Sequence, residues 1–414
     1  TGTVTYNEAL FNSVNILLGV GLLTVPYALN EGGWASLGVL ALLWNVTRYT
    51  GKLLARCQSP DRCADPYENM DPDNTLAAPA KWCEGLETYE DIGEAAFGSW
   101  GRKFITTILY TELLGTCGLF FILEGDHLQL LTGGQGGLSH EQLMCLSALV
   151  FIPTTWLKDL SSLSYVGLFG GVSTAALAGV ILWNFVMGGY ISEPAETAVL
   201  HLSTLPNTFG ILAFVFAGHA VFPSISASME EPERFPEMLD RTYTIVGAAC
   251  VVVGVTGYLM YGPGVLEEVT LNLPKGALST VATCLILVSP LTKFALTLDP
   301  VARGLERRLG LDINGAGLDP LLARVSRTTL GVGTLVGAAS LPFFGIMMSL
   351  LGSFLTLVVS VIFPSLCYLK LFDGKMSDNE RYLNYFVVAL GVFCACSGTW
   401  TAIDGIMSGK AGGM

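Results

Sequence analysis

Long apolar stretches separated by short polar breaks run through the whole chain. Taking each stretch as one crossing of about 20 residues predicts spans at 6–30, 33–56, 103–131, 140–158, 161–189, 207–229, 237–261, 276–302, 324–341, 343–370 and 383–408, eleven in all. Only Leu341-Pro342 divides the ninth from the tenth. One long polar segment, 58–90, is rich in Asp, Pro and Asn and reads as a cytosolic loop. Behind it, Tyr89 to Phe97 reads as a short amphipathic helix at the inner surface, placed to brace the bundle.

Composition removes the soluble alternatives. Of 414 residues, 51% are hydrophobic and 13% charged, against about 25% charged in an ordinary soluble domain. The chain is therefore expected to be an all-α polytopic membrane protein, with no room for a sizeable soluble domain. The net charge of −13 leaves no basic groove for nucleic acid. With the N-terminus inside, nearly every Lys and Arg falls on the inner side; Lys275 and Lys410 lie outside and Lys293 within a span. That split predicts a cytosolic N-terminus and a C-terminus across the membrane. Seven cysteines, Cys117, Cys145, Cys250, Cys284, Cys367, Cys394 and Cys396, lie in apolar runs. Cys57, Cys63 and Cys83 bracket the polar loop without metal-ligand spacing, so reduced thiols and no metal site are expected. The apolar pattern starts within ten residues of Thr1, with no initiator Met or cleavable signal visible, as expected of a chain trimmed at its N-terminal tail.

An internal repeat points to the mechanism. Laying Gly21 on Gly218 puts Pro26 on Pro223, so spans 1 and 6 each carry a Gly and a Pro five residues apart near mid-membrane. These spans open two five-helix halves, 1–189 and 207–370, with 383–408 as an eleventh helix. Recurrence of such interruptions at matching places is the mark of a transporter with inverted repeats and broken helices. Facing breaks expose the positive end of one half-helix and the negative end of another, a cradle for a carboxylate and an ammonium together. A zwitterionic amino acid fits that cradle.

The strings LLGVGLLTVPYALNEGGW (17–34), DIGEAAFG (91–98), ILYTELLGTCGLFFILEGDHL (108–128), GHAVFPSISASM (218–229), VTLNLP (269–274) and SPLTKFAL (289–296) resemble the amino acid/auxin permease family. LPFFGIMMSLLGSF (341–354) and FPSLCYLK (363–370) continue the likeness. It is nearest to plant-type vacuolar amino acid transporters, relatives of the vesicular inhibitory amino acid transporter. The loop matches nothing in that pattern, and His127 stands where it would have Asn. The resemblance implies an eleven-span LeuT-type fold of five plus five inverted helices with helices 1 and 6 broken. It also implies proton coupling without sodium, and transport of neutral amino acids at a vacuolar or lysosomal membrane, into the acidic compartment by exchange for protons.

Particular residues follow. Backbone at Gly19, Val20, Gly21 and Leu22 is expected to take the substrate carboxylate, since small residues let a ligand reach the N–H groups. Asn12, Ser13 and Asn15 lie just before the break; Asn15 is assigned to the substrate amine or the supporting loop, and interhelical hydrogen bonding explains these residues as well. Tyr110 is placed beside the substrate. Glu112, expensive at membrane depth unless paired or protonated, is a candidate proton carrier, the alternative being a structural partner for a polar residue such as Asn45. Glu124, Asp126 and His127 are expected in a solvated vestibule at the outer end of span 3. Gly218 and His219 occupy the span 6 break, with Phe216 and Phe222 as apolar walls; an imidazole there can meet substrate or proton. Lys293 stands where sodium-dependent LeuT-type transporters hold an ion between spans 1 and 8. A fixed ammonium makes that ion unnecessary, and it is also a candidate for titration.

The expected function is a proton-coupled secondary active transporter of neutral amino acids, working by alternating access as a monomer in the lipid bilayer with no cofactor. Two alternatives are a sensor that reports amino-acid occupancy through loop 58–90, and a proton symporter exporting to the cytosol. No G-x-S-x-G, HExxH or Walker pattern supports an enzyme.

Overall fold

The computed structural model describes residues 4–59, 86–132, 137–156, 161–188, 190, 194–309, 320–340 and 343–408. Most of the polar loop, with Cys63 and Cys83, and the Leu341-Pro342 punctuation lie outside the described residues. Among the described residues the architecture is all-helical, the one extended pairing being an isolated bridge between Val4 and Met229.

The first span divides into α1 (Tyr6–Leu17), a 3-10 turn (Val20–Thr24) and α2 (Val25–Gly32). A reciprocal cap starts α1, in which Glu8 accepts from the Thr5 backbone N–H at 2.9 Å and the Thr5 hydroxyl accepts from the Glu8 N–H. Pro26 sits in the first turn of α2, where a missing N–H costs no helical bond. Then follow α3 (Ser36–Gln58), α4 (Tyr89–Thr132), α5 (His140–Thr154) and α6 (Ser161–Met187). The sixth span is again two pieces, α7 (Leu205–Val215) and α8 (Phe222–Ser228). After it come α9 (Phe235–Tyr261), α10 (Ala277–Arg308), α11 (Pro320–Ser340), α12 (Phe344–Leu350), α13 (Phe363–Leu371) and α14 (Asp378–Met407). Between α12 and α13 the chain is π-helical over Leu351–Thr356 and Val358–Ile362.

A helix, or a broken pair, stands at each position where the sequence predicts a span. Five helices among the described residues are long and apolar enough to cross a membrane, six if the bent pair Tyr6–Leu17 and Val20–Gln58 counts as one. α7 falls short because the break cuts its apolar run to eleven residues, and α5 because the helix itself has fifteen.

The helix predicted at 89–97 is present as the first part of α4, set off by a non-helical Gly98 with φ 66°. Arg102 reaches back across this kink to Asp91 and Glu94. Tyr89, Ile92 and Ala96 turn inward and join Leu53, Leu54, Phe363 and Tyr368 in a small core apart from the main one, so this helix does brace α3 and α13. α10 runs beside α6 and α4, and α7 packs on the π-helical stretch so closely that Gly352 touches the Gly210 carbonyl wherever a Cβ would stand. At the cation-rich end, Arg327 of α11 binds Glu306 at 2.9 Å, Asp299 at 3.2 Å and the Thr155 carbonyl at 2.7 Å, joining α5, α10 and α11. Val4 donates to the Ser228 carbonyl at 3.0 Å and accepts from Glu230 at 2.9 Å, so the start of α1 is tied to the end of α8.

Candidate functional site

The break in the first span begins where Leu18 leaves the helix with ψ 61°, its N–H still bonded to the Val14 carbonyl at 2.7 Å. Gly19 is extended at φ −94° and ψ −157°, and the 3-10 turn then restarts with Leu22 N–H on the Gly19 carbonyl at 3.2 Å. A helix end leaves its last carbonyls without partners and carries partial negative charge. Lys293 of α10 answers this: its Nζ donates to the Asn15 carbonyl at 3.4 Å. A Cβ on Gly19 would lie 3.9 Å from that Nζ and 3.6 Å from the Ile16 carbonyl, so the Gly19 backbone is open toward the ammonium. Among the described residues, no carboxylate forms an ion pair with Lys293.

A narrow cavity adjoins this break. Its walls are Gly19, Val20 and Leu23 from the break, Ser173, Thr174 and Leu177 from α6, and Leu285, Ile286 and Ser289 from α10. Ser289 lies four residues before Lys293, on the same face of α10, and its hydroxyl is buried with no hydrogen-bond partner among the described residues. These hydroxyls were not singled out from sequence, because Ser and Thr inside apolar spans are unremarkable; the Ser289-to-Lys293 spacing was the available signal.

Gly21 faces the other way. A Cβ there would meet Val215 at 3.1 Å and the Met348 terminus at 3.4 Å, so its small size serves the close passage of α7. Leu22 is buried and does not line the cavity. The Asn15 side chain lies over Gly171 of α6, whose Cβ position is 3.3 Å from Asn15 Oδ1. Asn12 is exposed, whereas Ser13 is buried with no partner for its hydroxyl among the described residues.

The second break packs directly on the first. A Cβ on Gly218 would strike Leu17 Cδ2 at 2.9 Å and Phe222 at 2.8 Å. Phe216 is wholly buried and stacks on Tyr243 with ring centres 5.7 Å apart. Its neighbour Phe222 lies 5.1 Å from the His219 ring. His219 is fully buried and turned toward α3: Nε2 is 3.0 Å from the Thr47 carbonyl and 3.1 Å from Thr50 Oγ1. A carbonyl can only accept, so Nε2 carries the proton. Nδ1 is then a buried acceptor, with no partner among the described residues.

Tyr110 and Glu112 do not line the cavity. The Tyr110 hydroxyl lies on Gly304, toward the cation-rich end of α10. Glu112 is buried, and its carboxylate accepts from Thr356 Oγ1 at 2.5 Å. Asn45, considered as its partner, is instead bonded to the Ala41 carbonyl. The C-terminal end of α4 corrects the expectation of a solvated vestibule. His127 and Glu268 are both fully buried, 3.1 Å apart, because the turn Val269–Asn272 folds over them and Thr270 bonds His127 at 3.0 Å. Among the described residues no group of His, Cys, Asp and Glu is arranged to hold a metal. The seven cysteines in the apolar runs are unpaired thiols.

Residues 2–404 match the family model described as transmembrane amino acid transporter protein. The chain is 38% identical to amino acid transporter AVT1D of Arabidopsis thaliana over 96% of this chain and 70% of that protein. Among solved structures it is similar to MhsT in complex with L-phenylalanine, at TM-score 0.54 and 13% identity over 94% and 98% of the two chains. It is also similar to the Eremococcus coleocola manganese transporter, at TM-score 0.58 and 12% identity over 98% and 90%. At that identity the two structures speak for the fold alone, a LeuT-type helical bundle. The chain belongs to the transmembrane amino acid transporter family, whose members are transporters and not enzymes.

Proposed function

We propose that this transporter moves neutral amino acids across a vacuolar or lysosomal membrane in exchange for protons, by alternating access between two five-helix repeats. The reading takes eleven spans, a cytosolic N-terminus and a lumenal C-terminus, which suits the bias of Lys and Arg toward one side. Vacuolar placement and exchange rest on the family resemblance.

Its main support is Lys293. A side-chain ammonium joins α10 to the broken end of α1, paired with no carboxylate among the described residues, and so offers from within the chain the positive charge that a bound cation would supply. The open Gly19 backbone and the Ser173, Thr174 and Ser289 hydroxyls lie next to it. Polar groups of both signs with apolar walls suit a zwitterion whose side chain carries no charge. In this reading Gly19 and Val20, with Asn15 beside the break, receive the substrate, and Lys293, His219 and Glu112 are the groups available for coupling.

Purified protein in liposomes with an acidic lumen is expected to accumulate a neutral amino acid. Collapsing the pH gradient should abolish uptake, and replacing sodium should leave it unchanged. Sodium-dependent uptake at constant pH would overturn the proposal.

A further inference from the structure

The π-helical stretch between α12 and α13 is held by hydroxyl groups along its length. Thr356 donates to Glu112 of α4 at 2.5 Å. The Val359 carbonyl accepts from the Tyr89 hydroxyl at 2.6 Å, and the Ser360 carbonyl accepts from Thr50 Oγ1 of α3 at 2.5 Å. Widening a helix to π geometry displaces carbonyls from their usual acceptor role, and such stretches are rare and concentrated at functional sites. Tyr89 and Thr50 supply the missing donors. Thr50 also stands 3.1 Å from His219 Nε2. The contacts thus run from His219 Nε2–H, shared between the Thr47 carbonyl and Thr50 Oγ1, through Thr50 O–H to the Ser360 carbonyl and, about one helical turn earlier, Thr356 O–H to Glu112.

We infer that Thr356 and Thr50 are positioning residues through which the π-helical stretch joins Glu112 on α4 to His219 in the span 6 break. Neither threonine changes its own charge; each sets the hydrogen bonding of a buried group that can. The surroundings favour this. Facing Glu112 from neighbouring elements are Tyr89, with Cys57 and Cys367 behind it; facing His219 are Thr47 and Thr50, with Tyr243 of α9 beside them. Among the described residues no Lys or Arg is bonded to Glu112, and no charged side chain to His219. With so few polar partners, losing one hydroxyl weighs heavily. A shift of the π-helical stretch would move both contacts together, making protonation at Glu112 and the shape of the break parts of one event.

The inference rests on proton coupling, and the test separates the two. Uptake into proteoliposomes is measured across a pH series for wild type, Thr356→Val, Thr356→Ser, Thr50→Val and Thr356→Val with Thr50→Val, alongside amino-acid exchange at symmetric pH. Valine keeps the volume of threonine and removes the donor that favours ionised Glu112. Thr356→Val is therefore expected to move the midpoint of the pH dependence upward by about one unit, with exchange within about twofold of wild type and Thr356→Ser restoring the midpoint. Shifts in the double variant should fall short of the sum of the single ones. If wild type lacks proton dependence, the proposed function fails and this inference with it. Should wild type be proton-dependent and Thr356→Val keep its midpoint, or Thr356→Ser behave like Thr356→Val, the inference alone is overturned. Equal loss of uptake and exchange in both Thr356 variants at an unchanged midpoint would mean Thr356 only packs.

Discussion

The two breaks share a Gly-x4-Pro spacing yet are finished differently. In the first, α1 stops short and leaves the Gly19 backbone open beside Lys293 and a cavity with three hydroxyls on its walls. In the second, Phe216, Phe222 and a fully buried His219 fill the gap, and the imidazole bonds α3. Within the first break the glycines also divide the work, Gly19 leaving backbone uncovered and Gly21 letting α7 approach. A repeated motif thus marks where helices break, whereas the facing elements decide whether the break is a site or a joint.

The largest effect is expected from Gly21→Leu, whose side chain would enter the space of Val215 and Met348. Overpacking there should cost about 1–3 kcal/mol of stability and abolish transport, measured by thermal unfolding in detergent together with uptake. Gly19→Leu should instead fill the cavity, removing amino-acid binding at nearly unchanged melting temperature. Equal melting losses in the two variants would erase the distinction between the glycines. A smaller effect is expected for His219→Gln, which keeps a polar group but cannot titrate: uptake should lose its pH dependence while affinity changes less than tenfold, about 1.4 kcal/mol. A normal pH profile in this variant would make His219 a joint residue only. The smallest effect belongs to Gly19→Ala. The extended backbone and open space accept a methyl, so stability should rise by about 0.4–1 kcal/mol with binding retained, as calorimetry would show.

Helix positions were largely legible, because apolar runs and Gly/Pro interruptions are local signals. The breaks at Gly19 and Gly218 and the helix ending at Gly98 emerged for that reason. What remained hidden depends on distant contacts. Nothing near Glu112 in sequence announces Thr356, and nothing near His219 announces the carbonyl of Thr47. His127 read as solvated because three polar residues cluster near a span end, yet a turn more than a hundred residues away covers it. Gly21 read as ligand-facing because a glycine open to ligand and one closed against a helix look the same in a string of letters.

If Lys293 holds the broken end of α1 to α10 while the carrier changes sides, removing its ammonium should trap one conformation. The most direct measurement is amino-acid exchange at symmetric pH by Lys293→Ala in proteoliposomes, with wild type alongside. Exchange requires the conformational change and no net proton movement. Exchange is expected to fall together with pH-driven uptake, because the carrier stays in one conformation; exchange at the wild-type rate with only pH-driven uptake lost would contradict a tethering role for Lys293.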